Sequence, residues 1–73
     1  MIEVGSRVFY FEGSDCHGFG TVLEISPYGY ISEKFPSKNL NSRILLILKD
    51  ETGEFEEFLE TDCRLMAEFD DNE

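Results

Sequence analysis

The sequence predicts a small all-β domain, and three observations carry that expectation. Its apolar residues gather in short runs rich in β-branched and aromatic side chains, each closed by glycine, proline or acidic turn residues. Only Glu54 to Phe69 is long enough to supply a substantial helix. With 73 residues there is room for one core, and an apolar fraction of 41% with seven Phe and three Tyr can fill it despite a net charge of −10.

Taken in order, Arg7-Val8-Phe9-Tyr10-Phe11 reads as a first strand, preceded by Gly5 and ended by the turn composition Glu12-Gly13-Ser14-Asp15. Cys16-His17-Gly18-Phe19-Gly20 reads as a glycine-punctuated loop. Thr21-Val22-Leu23-Glu24-Ile25 follows as a second strand, halted by Ser26-Pro27, and Tyr28 to Ile31 extends or follows it. Ser37 to Ser42 is polar and turn-like, the pattern of an exposed loop. The strongest strand is Arg43-Ile44-Leu45-Leu46-Ile47-Leu48-Lys49, whose charged ends share one parity and so assign Ile44, Leu46 and Leu48 to the core.

Asp50-Glu51-Thr52-Gly53 suits a hairpin connection to Glu54-Phe55-Glu56-Glu57-Phe58-Leu59. Phe55, Phe58, Leu59, Cys63 and Met66 also fall at helical spacing, so an α+β fold with a C-terminal helix stands as the alternative. Against it, Glu68, Asp70 and Asp71 would crowd the negative end of the helix dipole. The expected core is Val8, Val22, Ile25, Ile44, Leu46, Leu48, Phe55 and Leu65, within a domain of residues 1–69 followed by an acidic disordered tail, 70–73.

Charge is unevenly placed. Residues 1–49 hold five acids (Glu3, Glu12, Asp15, Glu24, Glu33) and five bases (Arg7, Lys34, Lys38, Arg43, Lys49), whereas residues 50–73 hold eleven acids against Arg64 alone. Such a field repels phosphate backbones and attracts Lys/Arg-rich surfaces, which disfavours direct nucleic-acid binding and favours a basic protein partner. The opening residues lack the basic start and apolar run of a secretory signal, and Ile44 to Leu48 is far short of the roughly 20 residues of a membrane-spanning helix. The expectation is a cytoplasmic protein, monomeric or weakly dimeric, with Cys16 and Cys63 as free thiols.

Gly5, Val8, Gly20-Thr21-Val22 with Ile25, Asp50-Glu51-Thr52-Gly53-Glu54 and Asp62-Cys63-Arg64-Leu65 together resemble small SH3-like barrels of the KOW and Tudor-like kind, including short phage-encoded examples. The resemblance covers most of residues 4–66. It implies a barrel of five short strands, with a single 3₁₀ turn over Leu59 to Cys63 before a last strand near Arg64 to Ala67. KOW-type domains that touch RNA are similar in layout but usually basic, and this chain lacks that footprint.

No residue pattern points to catalysis or to a cofactor. Cys16 and His17 are adjacent, and neighbours rarely aim at each other as nucleophile and base must. Cys16, His17 and Cys63 with Asp15 or Asp62 have zinc-binding chemistry but lack paired C-x₂₋₄-C spacing, and the acids form no calcium loop. Gly18-Phe19-Gly20 lacks the downstream Lys and helix start of a phosphate-cradling loop. Tyr28, Tyr30 and Phe35 with Glu33 have the residue types of an aromatic cage for a methylated ammonium, although aromatics in so small a chain are usually core. The expected partner-binding set is Glu54, Glu56, Glu57, Glu60 and Asp62, presented to the basic, nucleic-acid-binding surface of a protein that this chain inhibits or modulates, in the manner of a DNA mimic. The competing expectation is an SH3-like adaptor subunit of a larger assembly, its acids serving only solubility.

Overall fold

Alternation along Arg7–Phe11 (β1) is the simplest in the chain: Val8 and Tyr10 are buried, while Arg7, Phe9 and Phe11 face outward. The computed structural model describes residues 1–13, 15–36 and 42–68. Among them β1 is followed by His17–Ile25 (β2), Ile44–Lys49 (β3), Phe55–Leu59 (β4), a 3₁₀ turn at Glu60–Asp62, Cys63–Leu65 (β5) and a second 3₁₀ turn at Met66–Glu68. All pairings are antiparallel, in the order β4-β3-β2-β1-β5. The chain is therefore all-β, with five strands and a 3₁₀ turn before the last. The C-terminal helix alternative is overturned, because residues 55–59 pair with β3 as a strand. The tail at 70–73 lies outside the described residues.

That strand order forces curvature. β4 and β5 occupy opposite edges of the sheet, which in a flat sheet would lie about 19 Å apart at roughly 4.8 Å per strand. A three-residue 3₁₀ turn connects them, and at about 2 Å rise per residue it reaches only about 6 Å. The sheet must curl until its edges approach, which is the geometry of a small barrel.

The core sits inside the curl: Ile2, Val8, Tyr10, Val22, Leu45, Ile47, Phe58 and Cys63, with Cys16, Ile25 and Leu65 packed against it. Tyr10 and Phe58 stack across it with ring centroids 4.3 Å apart. A bulge at Leu23 resets the alternation of β2, so that Val22 opposite Ile47 and Ile25 opposite Leu45 both face inward. Gly20 permits the close approach of β3: a Cβ there would lie 2.5 Å from both Ile47 Cγ2 and the Leu48 carbonyl oxygen. Gly53 adopts φ 72° in the β3–β4 hairpin, where its N–H donates to the Lys49 carbonyl at 2.9 Å.

Four sequence expectations need correction. In β3, Leu45 and Ile47 are fully buried while Leu46 and Leu48 are only partly so; of the expected trio, only Ile44 is buried. Arg43 and Lys49 do share the parity of Leu45 and Ile47, but they lie at the ends of the strand, where long stems carry the charge from the core side out to the rim. Phe58, opposite Leu45, enters the core in place of Phe55, which lies opposite Leu48 and is 65% exposed. The expected loop at residues 16–20 is strand from His17 onward, because Gly18 and Gly20 are the inward positions opposite Tyr10 and Val8. Ser42 is buried rather than exposed: its hydroxyl donates to the Arg43 carbonyl and accepts from the Thr61 N–H. Residues 37–41 of that predicted loop lie outside the described residues.

Candidate functional site

The acids of β4 divide by parity. Glu56 projects to the inward side at one end of the barrel, where Lys34 Nζ lies 2.7 Å from Oε2 and Lys49 Nζ lies 2.9 Å from Oε1. Lys34, carried by the long β2–β3 connection, also donates to Glu12 Oε1 at 3.0 Å and to the Glu57 carbonyl at 2.8 Å. Its Nζ sits 4.7 Å from the Phe58 ring centroid and 5.5 Å from that of Phe35. Two ammoniums thus meet two carboxylates over the aromatic end of the core. The hydrogen bonds from Lys34, then Lys49, hold the Glu56 carboxyl below its ordinary value. At Lys34, burial pulls the ammonium's pKa down, but Glu56 and Glu12 outweigh it and leave it raised.

Glu60 is likewise committed. Arg43 donates to it through Nε at 2.9 Å and Nη2 at 2.6 Å, a two-pronged pair that lowers the Glu60 pKa. The Arg43 guanidinium lies 5.9 Å from the centre of the Tyr28 ring. Asp50, at the β3–β4 turn, is paired by Arg7, which lowers its pKa too. Arg7, Lys34, Arg43 and Lys49, four of the five bases of residues 1–49, are thereby spent on Asp50, Glu56 and Glu60 of the acidic third.

Of the expected partner-binding set, the fold leaves Glu54, Glu57 and Asp62 with no ion pair among the described residues, and directs Glu56 and Glu60 into internal pairs. The five do not share one face. Sequence reasoning missed Glu24, which shares the outward side with Glu57: Glu24 lies opposite Leu46, and Leu46 opposite Glu57, so two carboxylates flank one half-buried leucine across three strands. Opposite-charge spacing in the sequence offered no signal for the internal pairs, since Lys34 and Glu56 meet only through the barrel.

Beside this outward face lies a groove of about 580 Å³, bounded by Tyr30, Ile31 and Glu33 on one side and Leu46, Phe55 and Glu57 on the other. The expected aromatic cage is not assembled: Tyr30 and Glu33 line this groove, Tyr28 lies by Arg43 in a different hollow, and Phe35 packs beside Lys34.

The remaining chemistry separates in the same way. His17 is exposed, 6.4 Å from Phe9 and 6.3 Å from Phe11 between ring centroids, on an outward aromatic patch completed by Phe19. Cys16 packs against the core and Cys63 is buried, its thiol pushed up to about 12 by burial and then by Asp62 and Glu60. Both thiols are free. Cys16, His17 and Cys63 therefore do not converge on one point. Cys16 has different company, with ligand atoms of Glu12, Cys16 and Glu56 within 4.8 Å of one another, but both carboxylates there already hold lysines. No helix among the described residues is long and apolar enough to cross a membrane.

No protein-family model, curated protein or solved structure matches this chain.

Proposed function

We propose that this protein is a docking module that engages a basic surface of a partner protein through the outward face of β3 and β4, and thereby inhibits or modulates that partner. One observation carries the reading. After internal pairing is accounted for, the outward carboxylates Glu24 and Glu57, and exposed Glu54 in the β3–β4 hairpin, remain without an ion-pair partner among the described residues, near half-buried Leu46 and exposed Phe55. A mixed acidic and apolar face suits Lys/Arg side chains, which present a charged head on an apolar stem. A ladder of carboxylates at phosphate spacing along β4 does not support this reading, because Glu56, two residues from Glu54, is turned inward and held by two lysines. Complementary charge, without imitation of a nucleic-acid backbone, is what recognition would use.

The test is affinity capture from host lysate at about 0.05 and 0.5 M salt, between which the screening length falls from about 14 to 4 Å. The captured partner's association rate is then measured against the chain carrying Glu24→Lys, Glu54→Lys and Glu57→Lys. A steep loss with salt and with charge reversal is expected; an association rate indifferent to both would overturn the reading. A second reading, an adaptor whose acids serve only solubility, is favoured by the outward patch of Phe9, Phe11 and Phe19, with Phe11 and Phe19 49% and 44% exposed. It would be selected by binding that survives charge reversal and is lost in Phe11→Ser with Phe19→Ser.

A further inference from the structure

The protein builds one arginine site out of its own residues. Arg43 meets the carboxylate of Glu60 with two hydrogen bonds and lies over the ring of Tyr28. A planar guanidinium combines these contacts well, since it is weakly hydrated, stacks on aromatic faces and presents a rigid fork to a carboxylate. The groove beside β4 offers the same two components. Tyr30 and Phe55 supply rings, 43% and 65% exposed, and Glu33 and Glu57 supply carboxylates with no ion pair among the described residues. Ile31 and Leu46 add apolar wall for an aliphatic stem.

We propose that this groove is a subsite for an arginine side chain presented by an extended segment of a partner protein. The proposal rests on the docking reading above and narrows it to one side chain and one place. Local charge supports it. Glu56 also borders the groove, but it is balanced within the Glu12–Lys34–Lys49–Glu56 cluster, so the charge left over at the groove is that of Glu33 and Glu57. No basic side chain of the described residues lines it. A volume of about 580 Å³ falls within the range of small-ligand clefts and admits a propyl stem with its guanidinium. The extended form of the segment follows from position: β4 is an edge strand. The backbone bonds from Lys49 N–H to the Glu54 carbonyl and from Glu60 N–H to the Arg43 carbonyl fix which residues bond to β3, so the main-chain groups of Phe55 and Glu57 point away from it. Lys34 occupies the carbonyl of Glu57, and the N–H groups of Phe55 and Glu57 remain on the open side.

The probe is a glycyl-arginyl-glycine tripeptide blocked at both ends, titrated into the full-length ¹⁵N-labelled chain at about 0.15 M salt, with the lysine and citrulline analogues alongside. Amide shifts are expected to concentrate at residues 30–33, Leu46, Phe55 and Glu57, with affinity falling from arginine to lysine to citrulline. Phe55→Ala and Glu57→Gln are each expected to weaken arginine binding about two- to fivefold, and Glu3→Gln, at an exposed position outside the groove, to leave it unchanged. Because Phe55 and Glu57 face outward, both variants should keep the wild-type spectrum elsewhere, and Tyr30→Ala replaces either that does not. No shifts, shifts scattered over Glu51, Glu54 and Asp62, equal binding of arginine and citrulline or of arginine and lysine, or indifference to both substitutions would each overturn the subsite. Those outcomes leave the broader docking reading standing if capture remains sensitive to salt and to reversal of Glu24, Glu54 and Glu57; loss of that sensitivity overturns the docking reading itself.

Discussion

Glu56 and Glu57 are neighbours in one strand, chemically identical, and the barrel gives them opposite roles. Glu56 lies opposite Ile47 on the inward side and closes the end of the core with two lysines, whereas Glu57 lies opposite Leu46 on the outward side with no ion pair among the described residues. The comparison teaches that net charge per segment is a poor guide to charge on a surface. The two-residue period of a strand sends alternate acids to different environments, and pairing then cancels those that meet bases brought from elsewhere in the chain.

The strongest way to break this comparison is to attack the parity on which it rests. Phe58→Ala is expected to cost about 3–5 kcal/mol and Leu45→Ala about 2–5 kcal/mol, enough to unfold much of so small a domain, while Leu46→Ala, half-buried on the outward side, should cost only about 1 kcal/mol. A lower urea midpoint for the Leu46 variant than for the Leu45 variant would mean that the faces are reversed, and equal midpoints that parity does not set burial in β3. Next in size is Gly20→Ala, expected to destabilise by about 1–3 kcal/mol because its methyl would meet backbone as well as a side chain of β3.

A sharper measurement compares the two acids directly. Glu56→Gln leaves two lysines short of an anion and, allowing for partial exposure, is expected to lower stability by about 1–2 kcal/mol. Glu57→Gln should stay within about 0.5 kcal/mol of wild type. If the two variants melt alike, the cluster at the barrel end contributes nothing that the outward carboxylate does not.

The smallest effect is in pH. Hydrogen bonds from Lys34 and Lys49 lower the Glu56 pKa from its ordinary 4.5, and Arg43 does the same for Glu60. A folded value below the unfolded one means that the unfolded chain binds more protons between the two. The stability these pairs supply is therefore complete above the ordinary carboxylate range and lost as pH falls through the lowered folded values. The melting temperature is expected to drop between about pH 5 and pH 3, and to drop less steeply in Glu56→Gln, whose slope equals that of wild type if the pairing is without effect.

Much of the fold was legible in the sequence because turn chemistry is local. The bounds of β1 follow from Arg7 to Phe11 and their flanking glycines, and the hairpin at residues 50–53 follows from Gly53. Facing was harder to read. Arg43 and Lys49 argued that their parity was exposed, and only the barrel's rim, where a charged head reaches Glu60 or Glu56, lets them share a side with Leu45 and Ile47. The candidate site was half legible for the same reason. Composition pointed to residues 54–62, but of the two lysines that hold Glu56 only Lys49 comes from across the hairpin; Lys34 arrives from the β2–β3 connection. Glu24 joins the site only through a register that contains a bulge.

The short link between β4 and β5 also bears on how the chain assembles as it is made. β2, β3 and β4 can zip together through successive hairpins, but β1 stays an open edge until Cys63–Leu65 appears, since Val8 is opposite Leu65 and Tyr10 opposite Cys63, more than fifty residues downstream. Synthesis runs at about 5–20 residues per second, so a nascent chain spends a definite interval with four strands formed and Val8 and Tyr10 lacking cover on one side. Contacts this distant in sequence slow folding, because the entropy of closing the intervening loop is lost before the contacts reward it. A circular permutant opened between Asp50 and Gly53 places β5 ahead of β1 and makes that contact local while separating β3 from β4, so it is expected to reverse the order of pairing, with β1–β5 amides protected before β3–β4 amides in pulse-labelled hydrogen exchange during refolding.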